Sequence, residues 1–392
     1  MKKLTITIVT TGRADYGLLH PLMTVLINNN NFIIHIVATG SHLSQFHGFS
    51  VKQVKNDFEY VDTIDLCLNG DKENDICHAI SRGIHLFSDL YRAKAPDLII
   101  VLGDRYELLA ACIPATIHKI PIAHIHGGEI TSGQIDDCIR HSITKMSHFH
   151  FASTDQYAKR IIQMGENPKN VFVVGAIGID NIQNIELMKS EALIAFTGVN
   201  FDKNVALMTY HPVTLDDYSM AKEQIEEVLN AVIGTDFITL ITMPNSDPAG
   251  KIIFSTIKDY EAQYPNKIVC IKNLGQVAYL SAMKYAKLMI GNSSSGIIES
   301  ASFKLPVVNI GDRQNGRLKP DNVIDCECET QKILKAINKA TSTSFFKSIS
   351  NLSNPYDQGN TSQKIESILE QLDIMNNVSL IKKIFYDLPS FK

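Results

Sequence analysis

The chain predicts two doubly wound α/β domains, and three observations carry that reading. Short runs rich in Val, Ile and Leu alternate with helical stretches along most of the chain. Many of these runs are apolar at consecutive positions, as a strand must be when helices cover both faces of a parallel sheet. The runs also fall into two series with a polar break near Asn184–Asn204, and 392 residues leave room for two or three domains at about 150 residues each.

In chain order, the first strand is Leu4–Val9. It follows a charged Met1-Lys2-Lys3 and is interrupted by Thr10-Thr11-Gly12-Arg13-Ala14-Asp15, where a signal peptide would stay apolar and end in small residues. A helix from Leu18 ends in a turn at Asn28–Asn31. Strands Ile33–Val37, Leu98–Leu102, Ile122–Ile125, Phe149–Ser153 and Val171–Val174 complete the first series. The second comprises Val205–Thr209, Phe237–Thr242, Ile268–Ile271, Leu288–Ile290 and Val307–Ile310. No strand is expected after Cys328, and Thr330–Ala340 and Ser362–Met375 read as helices. The expected domains are residues 1–185 and 186–360, with a helical segment 361–392 packing back across the first.

Composition excludes several classes. Lys+Arg number 37 and Asp+Glu 41, a net charge of −4, so there is no concentrated basic face for nucleic acid or an anionic membrane surface. No apolar run approaches the ~20 residues of a membrane-spanning helix. The 7 cysteines are odd in number and scattered without a C-x-x-C pair, which predicts reduced thiols in a cytoplasm. None of the 13 histidines lies in an H-E-x-x-H pattern, and neither a metal nor a cofactor is expected.

Ligands of open α/β sheets bind beyond the carboxyl ends of the strands, and two such domains make the cleft between them the expected active site. The informative residues therefore stand just after each strand. Thr11-Gly12-Arg13-Ala14-Asp15-Tyr16-Gly17 offers a tight turn and an arginine for a phosphate or a base; it is not a G-x-G-x-x-G fingerprint. Asp104, one residue past Leu98–Leu102, can face the cleft or cap the next helix. His126-Gly127-Gly128-Glu129 sets a histidine and a glutamate around two glycines that admit a ligand closely. In the next helix a spacing of four pairs Asp136 with Arg140 and Asp137 with His141: either surface ion pairs, or a carboxylate that Arg140 aims into the cleft. So many titratable groups in so short a stretch favour a site.

In the second domain, His211 closes a strand before Pro212 and is a proton-transfer candidate. Gly291-Asn292-Ser293-Ser294-Ser295-Gly296, before a helix over Ile297–Ser302, offers N–H groups, hydroxyls and a positive helix end to a diphosphate. Glu299 can accept from ribose hydroxyls, Arg313 and Arg317 reach the same phosphates, and Asn245 is a further polar strand-end residue. Methionines and aromatics elsewhere read as ordinary core. The residues alone describe a nucleotide-sugar enzyme and leave glycosyl transfer and epimerisation both open.

At these blocks the sequence resembles the UDP-N-acetylglucosamine 2-epimerases, in particular the hydrolysing branch of sialic and legionaminic acid synthesis. The matching blocks are Thr11–Gly17, Gly103–Glu107, His124–Glu129, Asp136–Lys145, Gly291–Glu299 and Asn309–Arg317. The resemblance implies two Rossmann-like domains in the glycosyltransferase-B architecture. It implies removal of the carbon-2 proton, anti elimination of UDP to a 2-acetamidoglucal, and addition of water to give a free 2-epimerised sugar. It further implies catalytic roles for Asp104, Asp136 and His211, and UDP binding by Arg13, Asn245, Ser293, Ser294, Glu299 and Arg313. His126 stands where many members carry a catalytic glutamate, so His126 and Glu129 are both candidates for the base. A homodimer or homotetramer is the family expectation. The expected substrate is UDP-N-acetylglucosamine, giving N-acetylmannosamine, with UDP-N,N′-diacetylbacillosamine as the alternative. A glycosyltransferase or a non-enzymatic nucleotide-sugar sensor are more distant readings.

Overall fold

The computed structural model describes residues 3–389 except 46–48, 69, 71, 132–133, 212–219, 243–249, 273, 373 and 375–380. The chain forms two compact units: residues 1–129, 136–181 and 358–392 in one, 130–135 and 182–357 in the other.

In the first unit, β1 (Leu4–Thr10), β2 (Phe32–Thr39), β3 (Val61–Ile64), β4 (Leu98–Leu102), β5 (Ile122–Ile125), β6 (Phe149–Ala152) and β7 (Val171–Val173) form a parallel sheet in the order β3-β2-β1-β4-β5-β6-β7. The order reverses between β1 and β4, which makes their carboxyl ends the switch point where such sheets bind ligands. The consecutive apolar residues divide between two cores. Leu98, Ile100 and Leu102 of β4 enter one, and Ile99 and Val101 enter the other. A strand wetted on one face would need polar residues at every second position, so the unbroken run is the signature of this burial.

In the second unit, β8 (Val205–Thr209), β9 (Ile238–Thr242), β10 (Ile268–Ile271), β11 (Leu288–Gly291), β12 (Val307–Ile310) and β13 (Val323–Cys326) repeat the arrangement as β10-β9-β8-β11-β12-β13. All of its pairings are parallel among the described residues. Its switch point lies between β8 and β11.

Several expectations need correction. The first helix spans Arg13–Ile27 and does not wait for Leu18, because Asp15 caps it: its carboxylate accepts the N–H groups of Thr11 at 2.6 Å and Gly12 at 2.7 Å. Strands β3 and β13 were not expected. Both are four-residue edge strands interrupted by aspartate, so neither forms the apolar run that marked the others. The polar break near Asn184–Asn204 contains helix Ser190–Thr197, whose Leu193 is buried with Val199 and Phe201 in the second unit's core. The units therefore divide at 181/182 and 357/358, against 185/186 and 360/361 from the sequence.

Helix Thr361–Gln371 lies against helix Arg13–Ile27, with Ile365 and Leu369 buried beside Leu19, Leu22 and Leu26. Its first turn is held by buried Asp180, which accepts the N–H groups of Thr361 at 2.8 Å and Ser362 at 2.6 Å. Beyond it, Lys383 reaches Glu166 at 2.6 Å, and the hydrogen bonds from His150, Lys145 and Lys383 hold the buried Glu166 down at about 2 despite its burial. Among the described residues no helix is long and apolar enough to cross a membrane.

Candidate active site

At the carboxyl end of β4, Gly103 turns the chain with a φ of +81° and presents Asp104. Arg140, on helix Ile135–Met146, is the largest fully buried side chain of the described residues, at 1% exposure. Its guanidinium donates to the Asp104 carboxylate, to Asp137 at 3.1 Å and to the Glu129 carbonyl at 3.1 Å. Burial works against its charge, and Asp104, Glu129 and Asp137 more than offset that, so its pKa rises. One guanidinium thus faces the carboxylates of both Asp104 and Asp137.

The turn that carries Asp104 is braced by His124 of β5. The ring lies 2.7 Å from the Gly103 carbonyl and 3.1 Å from the Thr144 hydroxyl, and burial brings its pKa to about 3. A neutral imidazole is therefore part of the scaffold.

His126 follows β5 with a φ of +64°, a left-handed conformation that costs a β-carbon-bearing residue energy and concentrates at functional positions. Its Nε2 accepts the Ile177 N–H at 3.2 Å, which places the ring proton on Nδ1, 3.1 Å from Glu129 Oε1. The Ser153 hydroxyl donates to the same Glu129 oxygen at 3.0 Å. Both His126 nitrogens are therefore engaged by the protein, and Glu129 is a buried carboxylate held from two sides.

Arg140 takes partners that the spacing of four did not single out. Arg140 pairs with Asp137, three residues earlier, and with Asp104; Asp136 stands half-buried in the first turn of the same helix. Spacings of three and four both share a helix face, so the sequence alone could not choose between adjacent aspartates. Asp137 also lies 3.6 Å from His141, as the spacing predicts. Arg13 is exposed at the first position of its helix.

In the second unit the groups at the switch point are mostly neutral. Gly291 has a φ of +133°, and a Cβ there would lie 1.9 Å from the Thr209 carbonyl, so only glycine lets β11 run this close to β8. Asn292 follows, 1% exposed, and its side-chain amide pairs with the His211 backbone: Oδ1 accepts the N–H at 2.7 Å and Nδ2 donates to the carbonyl at 2.8 Å. The Asn292 carbonyl in turn accepts from Arg313 at 3.0 Å and Gln314 at 2.8 Å. Tyr279 sets its hydroxyl among Thr209, Ser293 and Ser295, and burial pushes its pKa up to about 12. Thr209 and Thr242 share a hydroxyl contact of 2.5 Å.

The helix after the serines is shorter than Ile297–Ser302. It is a single turn, Ser295–Ile298, followed by a 3-10 turn Ser300–Phe303, with Glu299 at the junction. One turn supplies little macrodipole, so anion binding there rests on hydroxyls, N–H groups and Arg313. Ser293 and Ser294 are partly exposed beside them. Asn245 and Pro212 lie outside the described residues. Sequence reading missed Asn292 and Tyr279 as parts of this network. Asn292 sat inside a motif read for its small residues, and Tyr279 lies in a helix that reads as core.

The family model for UDP-N-acetylglucosamine 2-epimerase matches residues 25–370. A Campylobacter jejuni GDP/UDP-N,N′-diacetylbacillosamine 2-epimerase (hydrolyzing) is 40% identical over 83% of this chain and 85% of its own length. Polysialic acid biosynthesis protein P7 of Escherichia coli is 35% identical over 99% of this chain and 98% of its own. The crystal structure of UDP-GlcNAc 2-epimerase from Neisseria meningitidis bound to UDP-GlcNAc superimposes with a TM-score of 0.78 at 19% identity, covering 94% of this chain and 100% of that one. That likeness confirms the fold, the two parallel α/β sheets of the glycosyltransferase-B type. With the family model spanning most of the chain and a hydrolysing relative at 40% identity, the chain belongs to the UDP-N-acetylglucosamine 2-epimerase family, in its hydrolysing branch.

Proposed function

We propose that the chain is a hydrolysing UDP-sugar 2-epimerase of nonulosonic (sialic-type) acid biosynthesis. A base removes the proton on carbon 2, and UDP departs from carbon 1 with the C1–O bonding pair, leaving a 2-acetamidoglucal. Water then adds across the double bond, hydroxyl to carbon 1 and proton to carbon 2, releasing a free 2-epimerised sugar. Protons and water close this balance with no net oxidation, so the chemistry calls for no redox cofactor.

The observation that carries the reading is the buried Arg140 holding Asp104 and Asp137 at the carboxyl end of β4. Asp104, Asp136, Glu129 and His211 are the proton-transfer groups we infer, with Arg140 orienting Asp104. His126, engaged at both nitrogens, supports Glu129 as the base and itself as the residue that orients it. Arg13, Asn245, Ser293, Ser294, Glu299 and Arg313 take the UDP, whose diphosphate gains charge as it leaves. On this reading the first unit supplies most of the acid–base groups, the second supplies most of the nucleotide contacts together with His211, and helix Thr361–Gln371 braces the first. The protein works as a homodimer or homotetramer in the cytoplasm.

Two substrates are in play. UDP-N-acetylglucosamine, giving N-acetylmannosamine, is the reading the sequence favoured. The 40% identity to a diacetylbacillosamine enzyme favours UDP-N,N′-diacetylbacillosamine, and that relative's name admits a GDP carrier as well. Proton NMR of products formed from each nucleotide sugar in deuterated water tests both levels. The expected result is a free 2-epimer carrying deuterium at carbon 2, plus nucleoside diphosphate, with no acceptor present. Nucleotide release that requires an acceptor would make the protein a glycosyltransferase, and the ratio of kcat/KM values identifies the sugar.

A further inference from the structure

The two functions assigned to the second unit, gripping the diphosphate and transferring a proton, meet in one residue that has no assigned role. We infer that Asn292 is a positioning residue that ties His211 to Arg313. This rests on the reading that His211 transfers a proton and Arg313 binds UDP.

The geometry is specific. The Asn292 side-chain amide makes a two-way pair with the His211 backbone, at 2.7 Å and 2.8 Å, beyond the last rung of the ladder between β8 and β11. Its backbone N–H donates to the Thr209 carbonyl at 3.2 Å. Its carbonyl receives Arg313 at 3.0 Å and Gln314 at 2.8 Å from the loop after β12. Three strand ends are thereby fixed to one buried residue. Past the last rung of the ladder, the Asn292 amide pairs with the His211 backbone as a further strand would, and so helps to set the direction in which that residue leaves the sheet. Because the same residue's carbonyl anchors Arg313, a shift of the arginine toward a diphosphate pulls on the backbone that aims the histidine.

The test is a double-mutant cycle on the full chain, reading UDP affinity by calorimetry and kcat on the turned-over UDP-sugar. Arg313→Ala weakens UDP binding more than it lowers kcat, and His211→Asn lowers kcat with UDP affinity near wild type. Asn292→Ala should do both, with about a hundredfold loss in kcat, the scale of a misplaced catalytic group. Combined with Arg313→Ala it should weaken UDP no further than Arg313→Ala alone. Asn292→Asp, which keeps the size and the acceptor for the His211 N–H, serves if the alanine variant does not fold, and should retain more activity than alanine where both fold. Wild-type kcat and UDP affinity per folded molecule in the Asn292 variants, or fully additive double mutants, overturn the proposal. Wild-type behaviour of Arg313→Ala and His211→Asn instead overturns the site reading beneath it.

Discussion

The two switch points share a strand order and differ in chemistry. At the carboxyl ends of β1 and β4 and in the segments after them the groups are ionic: Arg140 with Asp104 and Asp137, Arg105 with buried Glu107 at 3.1 Å, and Asp15 on the Thr11 and Gly12 amides. Between β8 and β11 they are amides and hydroxyls, Asn292, Gln314, Thr209, Thr242, Tyr279 and the serines, with Arg313 at the margin. The task proposed for each explains the contrast. Moving a proton needs groups that titrate, held against the cost of burying their charge by partners of opposite sign. Holding a diphosphate needs donors already aimed before the ligand arrives, and amides, hydroxyls and backbone N–H groups supply them with little charge to bury.

This contrast can be broken at its ionic end first. Arg140→Met should cost about 3 kcal/mol of folding stability, because it removes the cation from the half-buried carboxylates of Asp104 and Asp137 and a donor from the Glu129 carbonyl. Urea denaturation measures it; a loss below 1 kcal/mol would mean the cluster is wetter and weaker than its burial implies. Asp104→Asn comes next. It should lower kcat by about a hundredfold or more, with UDP affinity near wild type, as removal of a proton-transfer group does. If it unfolds the protein and spares kcat in the folded fraction, Asp104 is only a helix-start residue.

The last effect is the most general. Burial holds the His124 pKa at about 3 and that of His42 at about 4, both in the first unit. Unfolded histidine takes a proton below about 6.5, which these folded sites refuse until pH 3 to 4. Their stabilisation is therefore complete above pH 6.5 and lost as pH falls from there, at about 1.4 kcal/mol per pH unit for each site. Denaturation at pH 7 and pH 5 checks the slope, and His124→Gln should flatten it.

Much of the fold was legible because burial on both strand faces writes itself as runs such as Leu98–Leu102, and because glycines and prolines mark the turns between them. The edge strands β3 and β13 were not, since a strand covered less completely tolerates Asp62 and Asp325 and loses the pattern. Among the candidate site residues, Asp104, His126, Glu129, Arg140, His211, Ser293 and Arg313 could be named because strand ends are where α/β sheets place chemistry. Their pairings could not.

The sequence by itself determined the strand series, the two sheets and the positions at which polar residues leave them, all of which follow from local hydrophobic patterning. Tertiary structure alone decided that Arg140 reaches Asp104, that His126 is held at both nitrogens, and that Asn292 closes the gap between His211 and Arg313. Those choices depend on distances across the sheet between residues 36, 51 and 81 positions apart, which no local pattern encodes.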